Sequence, residues 1–270
     1  MPNIRIFTVD AFTDQIFRGN TCAICIFHEW PEGRVLQNIA AQNLFAETAF
    51  IVQHENANPE LRWFTVSQEV DFCGYGTLSA GYVYLTYIAP SQTEVTFATR
   101  RYGPLQVKND NGFFQIEVPV KPPLKEIFDD AVCAALGGPR PETMITSARD
   151  DLLIIYKNEA DVRSVAPDFA DLMDNPYYGF VLTSPGDKAH YAYRYFSPRM
   201  INVWEDPVNG ASQSVLAPYW AERLGQAKLH GQAVSRRGGD VYCEYSGGDT
   251  VRIGGRVTTY LQGEIQLTFL

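Results

Sequence analysis

The sequence predicts a mixed α+β fold made of two similar halves, and three observations carry that prediction. Strand-like and helix-like segments are interleaved along all 270 residues. One segment, Thr77 to Tyr87 (TLSAGYVYLTY), is apolar nearly all round and reads as a helix buried in the middle of a domain. The order strand, glycine turn, helix occurs twice, headed by RWFT (Arg62 to Thr65) and by RYFS (Arg194 to Ser197), which points to a duplication with a period of about half the chain.

Each element follows from local pattern. IRIFTVDAF and TCAICIFHE read as strands on either side of the turn FRGN. Arg34 to Leu44 sets Leu36, Ile39, Ala40 and Leu44 on one helical face, and ETAFIVQ returns as a strand. Beyond the buried helix, EVTFAT, GPLQVK and GFFQIEVP read as short strands. From near Lys125, LKEIFDDAVCAALG reads as a helix closed by Gly137-Gly138, and DLLIIYK and YYGFVLTS follow as strands. In each copy of the repeat a glycine is expected to open a helix: Gly76, 14 residues after Arg62, and Gly210, 16 residues after Arg194. The Pro-rich VPVKPPL at 118–124 marks the boundary between a first domain, 1–120, and a second, 121–270. The final strands, near 255–270, are expected to cross back to the first domain.

Composition narrows the function. A chain that is 46% hydrophobic can bury a sizeable core, and a net charge of −9 spread along it lacks the basic footprint of a nucleic-acid binder. The five cysteines are odd in number and irregularly spaced. Cys22 and Cys25 form a CxxC, but in an apolar strand with no second pair to complete a zinc site, so buried free thiols are expected. The opening MPNIRIFTVDAF has no basic region followed by an apolar one, and no apolar run reaches membrane-spanning length. A soluble protein of a reducing compartment, the cytoplasm, is the expectation.

The chemistry centres on acids and helix starts. Glu47 stands in NLFAETAFIV among phenylalanines, alanines and β-branched residues. It is either a solvated acid at a helix-to-strand turn or a carboxyl in apolar surroundings, whose pKa would be raised towards neutrality and suited to carrying protons. Each glycine turn delivers the chain to a helix N-terminus, where unpaired N–H groups favour a small anion such as a carboxylate. The two turns are Cys73-Gly74-Tyr75-Gly76-Thr77 and Glu205-Asp206-Pro207-Val208-Asn209-Gly210. A thiol at Cys73 could be a nucleophile, but a hydrolase would need a partner histidine, and His28, His54, His190 and His230 stand in no evident relation to it. No GxGxxG follows a strand, no Walker loop appears, and no ligand cluster suggests a metal; the pair of glycines in RRGGD reads as a turn. Proton transfer by protein side chains alone remains.

At these residues the sequence resembles the family of the phenazine-biosynthesis isomerase, the PhzF-like proteins, related in fold to diaminopimelate epimerase. VDAFTDQIFRGNTCAICIF is similar to the family's opening, AETAF to its S-E-T-A-F, and RWFTVSQEVDFCGYGTLSAG to R-W-F-T-P-x-x-E-V-x-L-C-G-H-A-T-L-A. WEDPVNGAS is similar to E-D-P-x-T-G-S-A, and VRIGGRVTTYLQGEI to the closing strand pair. The resemblance implies two similar domains, each a curved, mostly antiparallel sheet wrapped around a central helix, with the active site in the cleft between them. It implies a homodimer, a small-molecule substrate and no cofactor. Glu47 is implied as general acid/base and Asp206 as the residue that orients substrate. Cys73, Gly74, Tyr75, Gly76, Asn209, Gly210, Ala211 and Ser212 are implied to line its binding site.

The departures are informative. The family's histidine in C-G-H-A-T is Tyr75 here, a phenol that donates a hydrogen bond but does not readily shuttle a proton at neutral pH. The T-G-S of the second loop is Asn209-Gly210-Ala211, which removes two hydroxyls and leaves Ser212, one place on. In related two-thiol epimerases a cysteine from each half works across the substrate. Cys73 matches the first, but Asn209 stands near the second, which argues against two-thiol racemisation. Two functions follow: an isomerase that moves a proton on carbon of a small carboxylate, or a family member that binds a metabolite or protein without turnover.

Overall fold

A computed structural model describes residues 3–199 and 204–267. The chain divides into two compact units, one of residues 1–117 with 254–270 and one of residues 118–253. In chain order the first unit contains β1 (Ile4–Ala11), β2 (Asn20–Phe27), α1 (Gly33–Asn43), β3 (Thr48–Val52), β4 (Glu60–Phe64), β5 (Glu69–Val70), α2 (Gly74–Val83), β6 (Glu94–Thr99) and β7 (Leu105–Asp110), with β8 (Phe113–Pro119) at its exit. The second runs through β9 (Pro123–Ile127), α3 (Asp130–Leu136), β10 (Thr143–Ser147), β11 (Asp151–Ile155), α4 (Glu159–Ser164), α5 (Phe169–Met173), β12 (Gly179–Pro185), β13 (Tyr191–Phe196), β14 (Glu205–Asp206), α6 (Gln213–Leu224), β15 (Lys228–Ala233) and β16 (Gly239–Glu244). β17 (Thr250–Gly255) leads out of it, and β18 (Val257–Ile265) pairs antiparallel with β1, returning the chain to the first unit.

Both units are wired alike. In the first, β1 pairs antiparallel with β2, β2 parallel with β3, β3 antiparallel with β4, β4 parallel with β6, and β6 antiparallel with β7. In the second the same senses recur through β10, β11, β12, β13, β15 and β16. Each parallel step needs a crossover, and the helices supply it. Strands covered on both faces read as unbroken apolar runs, which is why TAFIV and DLLII show no alternation. In the first unit Phe27, Phe50 and Phe64 pack with Val35, Leu36 and Ile39 of α1. The other face receives α2, which touches β1, β2, β3 and β7 and buries every residue but Tyr82. A π-helical turn, Tyr84–Ile88, extends it. In the second unit, α3, α4 and α5 supply Val132, Leu136, Val162 and Leu172 to the core on one face of the sheet. Trp220 of α6 is buried, its ring stacked 5.7 Å from that of Tyr191.

The repeated arginine has a structural reason. Arg62 is buried and meets Glu69 of β5 through two bonds of 2.7 Å; Arg194 meets Glu205 of β14 at 2.7 and 3.1 Å. Phe64 stands opposite Glu69 as Phe196 stands opposite Glu205, which fixes the internal register of the duplication.

Two expectations are corrected. Residues 124–127, read as the start of a helix, belong to strand β9 against β10, and the helix begins only after Asp129, whose carboxylate accepts from the N–H groups of Ala131 and Val132. That cap overrides the helical spacing of the preceding LKEI. Likewise α6 starts at Gln213 rather than at Gly210, because Gly210 to Ser212 form a tighter turn with Gln213 N–H on the Gly210 carbonyl at 3.2 Å. The short helices α4 and α5 carry no long apolar stripe and were not foreseen.

Candidate active site

In the first unit, Glu47 immediately precedes β3 and is half-buried. α2 starts at Gly74, with Cys73 as its cap: the Cys73 sulfur accepts the Gly76 N–H at 3.3 Å. One residue into the helix, the Tyr75 hydroxyl donates to Glu47 Oε2 at 2.7 Å, and the same oxygen accepts the Glu47 N–H at 3.2 Å. Burial, followed by the charge of Glu47, holds the Tyr75 phenol well above its ordinary pKa, so it stays protonated and remains a donor. Cys22, the neighbour of Glu47 across the β2–β3 ladder, donates to its carbonyl at 3.5 Å, and burial with the Glu47 charge pushes that thiol up. Gly74 and Tyr75 open the helix, so their N–H groups have no acceptor within it. Gly76 is needed for packing: a Cβ there would lie 2.8 Å from the Cys73 sulfur and 3.0 Å from Trp63, closer than side chains tolerate. At Gly74 a Cβ would meet only ordinary contacts, 3.8 Å away.

The second unit holds the other candidates. Asp206 and Asn209 are both buried. Asn209 Nδ2 donates to Asp206 Oδ2 at 2.7 Å, and its Oδ1 accepts the Ser212 N–H at 2.6 Å. The Val208 N–H reaches Asp206 Oδ1 at 3.3 Å. The Asn209 carbonyl accepts from Ser212 Oγ, Gln213 Nε2 and Tyr193 Oη at 3.0, 3.1 and 3.3 Å. Tyr191 Oη donates to Gln213 Oε1 at 2.5 Å. Sequence reading missed this bracing by Gln213 and the tyrosines; the glutamine ahead of the apolar run VLAPYW is visible there, its burial is not. Ala211 adds no polar side-chain atom to this turn, where its carbonyl accepts from Ser214.

The caps correspond: Cys73 holds the N–H three residues on, and so does Asn209. This sets Gly210 against Gly74 and Ala211 against Tyr75. From the strand register, Glu47 corresponds to Gly179 and Val70 to Asp206. The duplicated frame therefore carries different chemistry in each copy.

A family model described as Phenazine biosynthesis-like protein (PhzC-PhzF) matches residues 9–263. The chain belongs to the phenazine biosynthesis-like family. It is 36% identical over 264 residues to a Pseudomonas aeruginosa protein named an uncharacterized isomerase, an alignment covering 98% of this chain and 99% of the relative. A PhzF-family crystal structure from Enterococcus faecalis is similar with a TM-score of 0.91 at 32% identity, covering 98% and 100% of the two chains. A Pseudomonas aeruginosa structure described as a predicted epimerase shares the fold, with a TM-score of 0.69 at 15% identity over 98% and 99% of the chains. The α+β fold of two similar, duplicated halves implied by the resemblance to the phenazine biosynthesis-like family is thus present. Among the described residues no helix is long and apolar enough to cross a membrane.

Proposed function

We propose that the protein is a cofactor-independent isomerase that moves a proton on carbon of a small carboxylate-bearing substrate, with Glu47 as general acid/base. The observation that carries this reading is the contact of Tyr75 with Glu47 at the start of α2, in a chain whose relatives include proteins named isomerases. As carboxylate, Glu47 takes a proton from carbon next to a carbonyl, imine or alkene. The electron pair left behind moves into a new double bond, and the carboxylic acid returns the proton elsewhere on the same molecule. The N–H groups of Gly74 and Tyr75 suit the substrate's carboxylate. Asp206, held by Asn209, orients the substrate, and Cys73, Gly76, Gly210, Ala211 and Ser212 belong to its binding surface. A homodimer in the cytoplasm is part of the same proposal.

A second reading, a metabolite or protein binder without turnover, is favoured by Asn209: its side chain is committed to Asp206 and Ser212 where the family pattern carries a threonine. Glu47→Gln keeps shape and removes the transferable proton. Candidate carboxylates incubated in D₂O and followed by NMR should exchange C–H for C–D with the wild type and not with Glu47→Gln. Equal exchange in both proteins would end the role of Glu47. Binding without exchange in the wild type would select the second reading.

A further inference from the structure

In place of the imidazole of the family pattern this chain carries a phenol, and the phenol meets Glu47 twice. Its oxygen accepts the glutamate's own N–H at 3.2 Å and its O–H is donated to Oε2 at 2.7 Å. A flexible side chain tied to its own peptide through one hydroxyl loses most of its rotamers. Tyr75 is itself buried on a helix packed against β1, β2, β3 and β7, so the oxygen that clamps Glu47 is fixed by the core.

The duplication supplies an independent observation. The position corresponding to Glu47 in the second unit is Gly179, and the one corresponding to Tyr75 is Ala211. There is no room for a carboxyl at Gly179: a Cβ would lie 2.2 Å from Tyr195 Oη and 2.6 Å from Asp151 Oδ1. The glutamate and the tyrosine thus occur together in one copy and are absent together from the other. If the hydroxyl served only to pack α2, the second unit would give no reason for both to vanish.

We propose that Tyr75 is the positioning residue of Glu47, holding its carboxyl in one conformer and stabilising its ionised form; this rests on the reading of Glu47 as acid/base. Two thiols also lie beside the Tyr75 hydroxyl, Cys22 from β2 and Cys73 at the cap.

The test is difference infrared spectroscopy of the whole protein titrated with acid, the Glu47 carboxyl band being assigned by subtraction of Glu47→Gln. Tyr75→Phe removes one donor to the carboxylate and should move the Glu47 midpoint up by about one pH unit. Incorporating 3-fluorotyrosine at position 75, a stronger donor in a nearly unchanged shape, should move it down. Shifts of opposite sign cannot come from loosened packing. A midpoint unmoved by both changes overturns the proposal; if Tyr75→Phe fails to fold, the fluorinated protein alone decides. Turnover does not enter this readout. A moved midpoint without substrate exchange would retain Tyr75 as the clamp and remove the isomerase, and an unmoved midpoint with exchange would do the reverse.

Discussion

Asn209→Ala tests the second polar cluster most directly. The substitution deletes the acceptor of the Ser212 N–H at 2.6 Å and the donor to the buried Asp206 carboxylate at 2.7 Å. A lost cap-type bond costs about 1 kcal/mol. A lost hydrogen bond to a buried charged group costs about 2 kcal/mol. Together they predict a destabilisation of about 3 kcal/mol, concentrated where α6 begins. Urea unfolding reads the total, and amide hydrogen exchange reads the place: an opening made about 3 kcal/mol easier exchanges about a hundredfold faster. Ser212 should show that acceleration, while the amides of α2 in the first unit should not. Asn209→Asp is the control. It keeps the acceptor for Ser212 but sets a second carboxylate against Asp206, and two like charges in contact raise the pKa of one carboxyl. That carboxyl's pKa is raised on folding, so its stability contribution is present in acid and is lost as pH rises through the raised value. An Asn209→Ala protein with the wild-type urea midpoint and wild-type Ser212 exchange would refute the argument.

Two further outcomes follow from burial. A Cβ on Gly81 would fall 2.4 to 2.7 Å from the three side-chain carbons of Val107, so Gly81→Ala gains about 1 kcal/mol in helix propensity and loses about 3 kcal/mol to overpacking. Calorimetry should show a lower melting temperature, and a raised one would contradict the tight fit of α2 on β7. The phenols of Tyr75, Tyr191 and Tyr193 are all held well above their ordinary range, chiefly by burial. Below about pH 10 both folded and unfolded chains keep these protons; above it only the unfolded chain releases them, so stability falls by about 1.4 kcal/mol per pH unit for each phenol. Tyrosinate absorbance from these three should appear together with loss of circular dichroism, and its appearance in a still-folded protein would show that they are not sealed.

Much of this architecture was legible in residue order. The all-apolar TLSAGYVYLTY could be satisfied only by a covered helix, and α2 is one. RWFT and RYFS announced the duplication because each arginine needs its own carboxylate, Glu69 or Glu205, on the next short strand. What stayed hidden depended on distant partners. LKEI has helical spacing, and the ladder with β10 together with the Asp129 cap makes it a strand. Tyr75 looked like a lost imidazole, since nothing in the spacing of 28 residues shows a phenol reaching back to Glu47. Nor does the order of residues show that the Asn209 amide joins Asp206 to the Ser212 N–H.

The return of β18 to β1 bears on how the chain is made. Residues 118–253 are continuous, so this unit can assemble as soon as it leaves the ribosome, whereas the first to be synthesised must wait for residues 254–270. Until then β1, paired with β2 on one side, lacks β18 on the other and presents there a row of open amide and carbonyl groups, the template on which nascent chains stick to one another. Translation that stops short of β18 would leave that exposed border permanently, so damage at the far end of the message would surface as insolubility of the part encoded first.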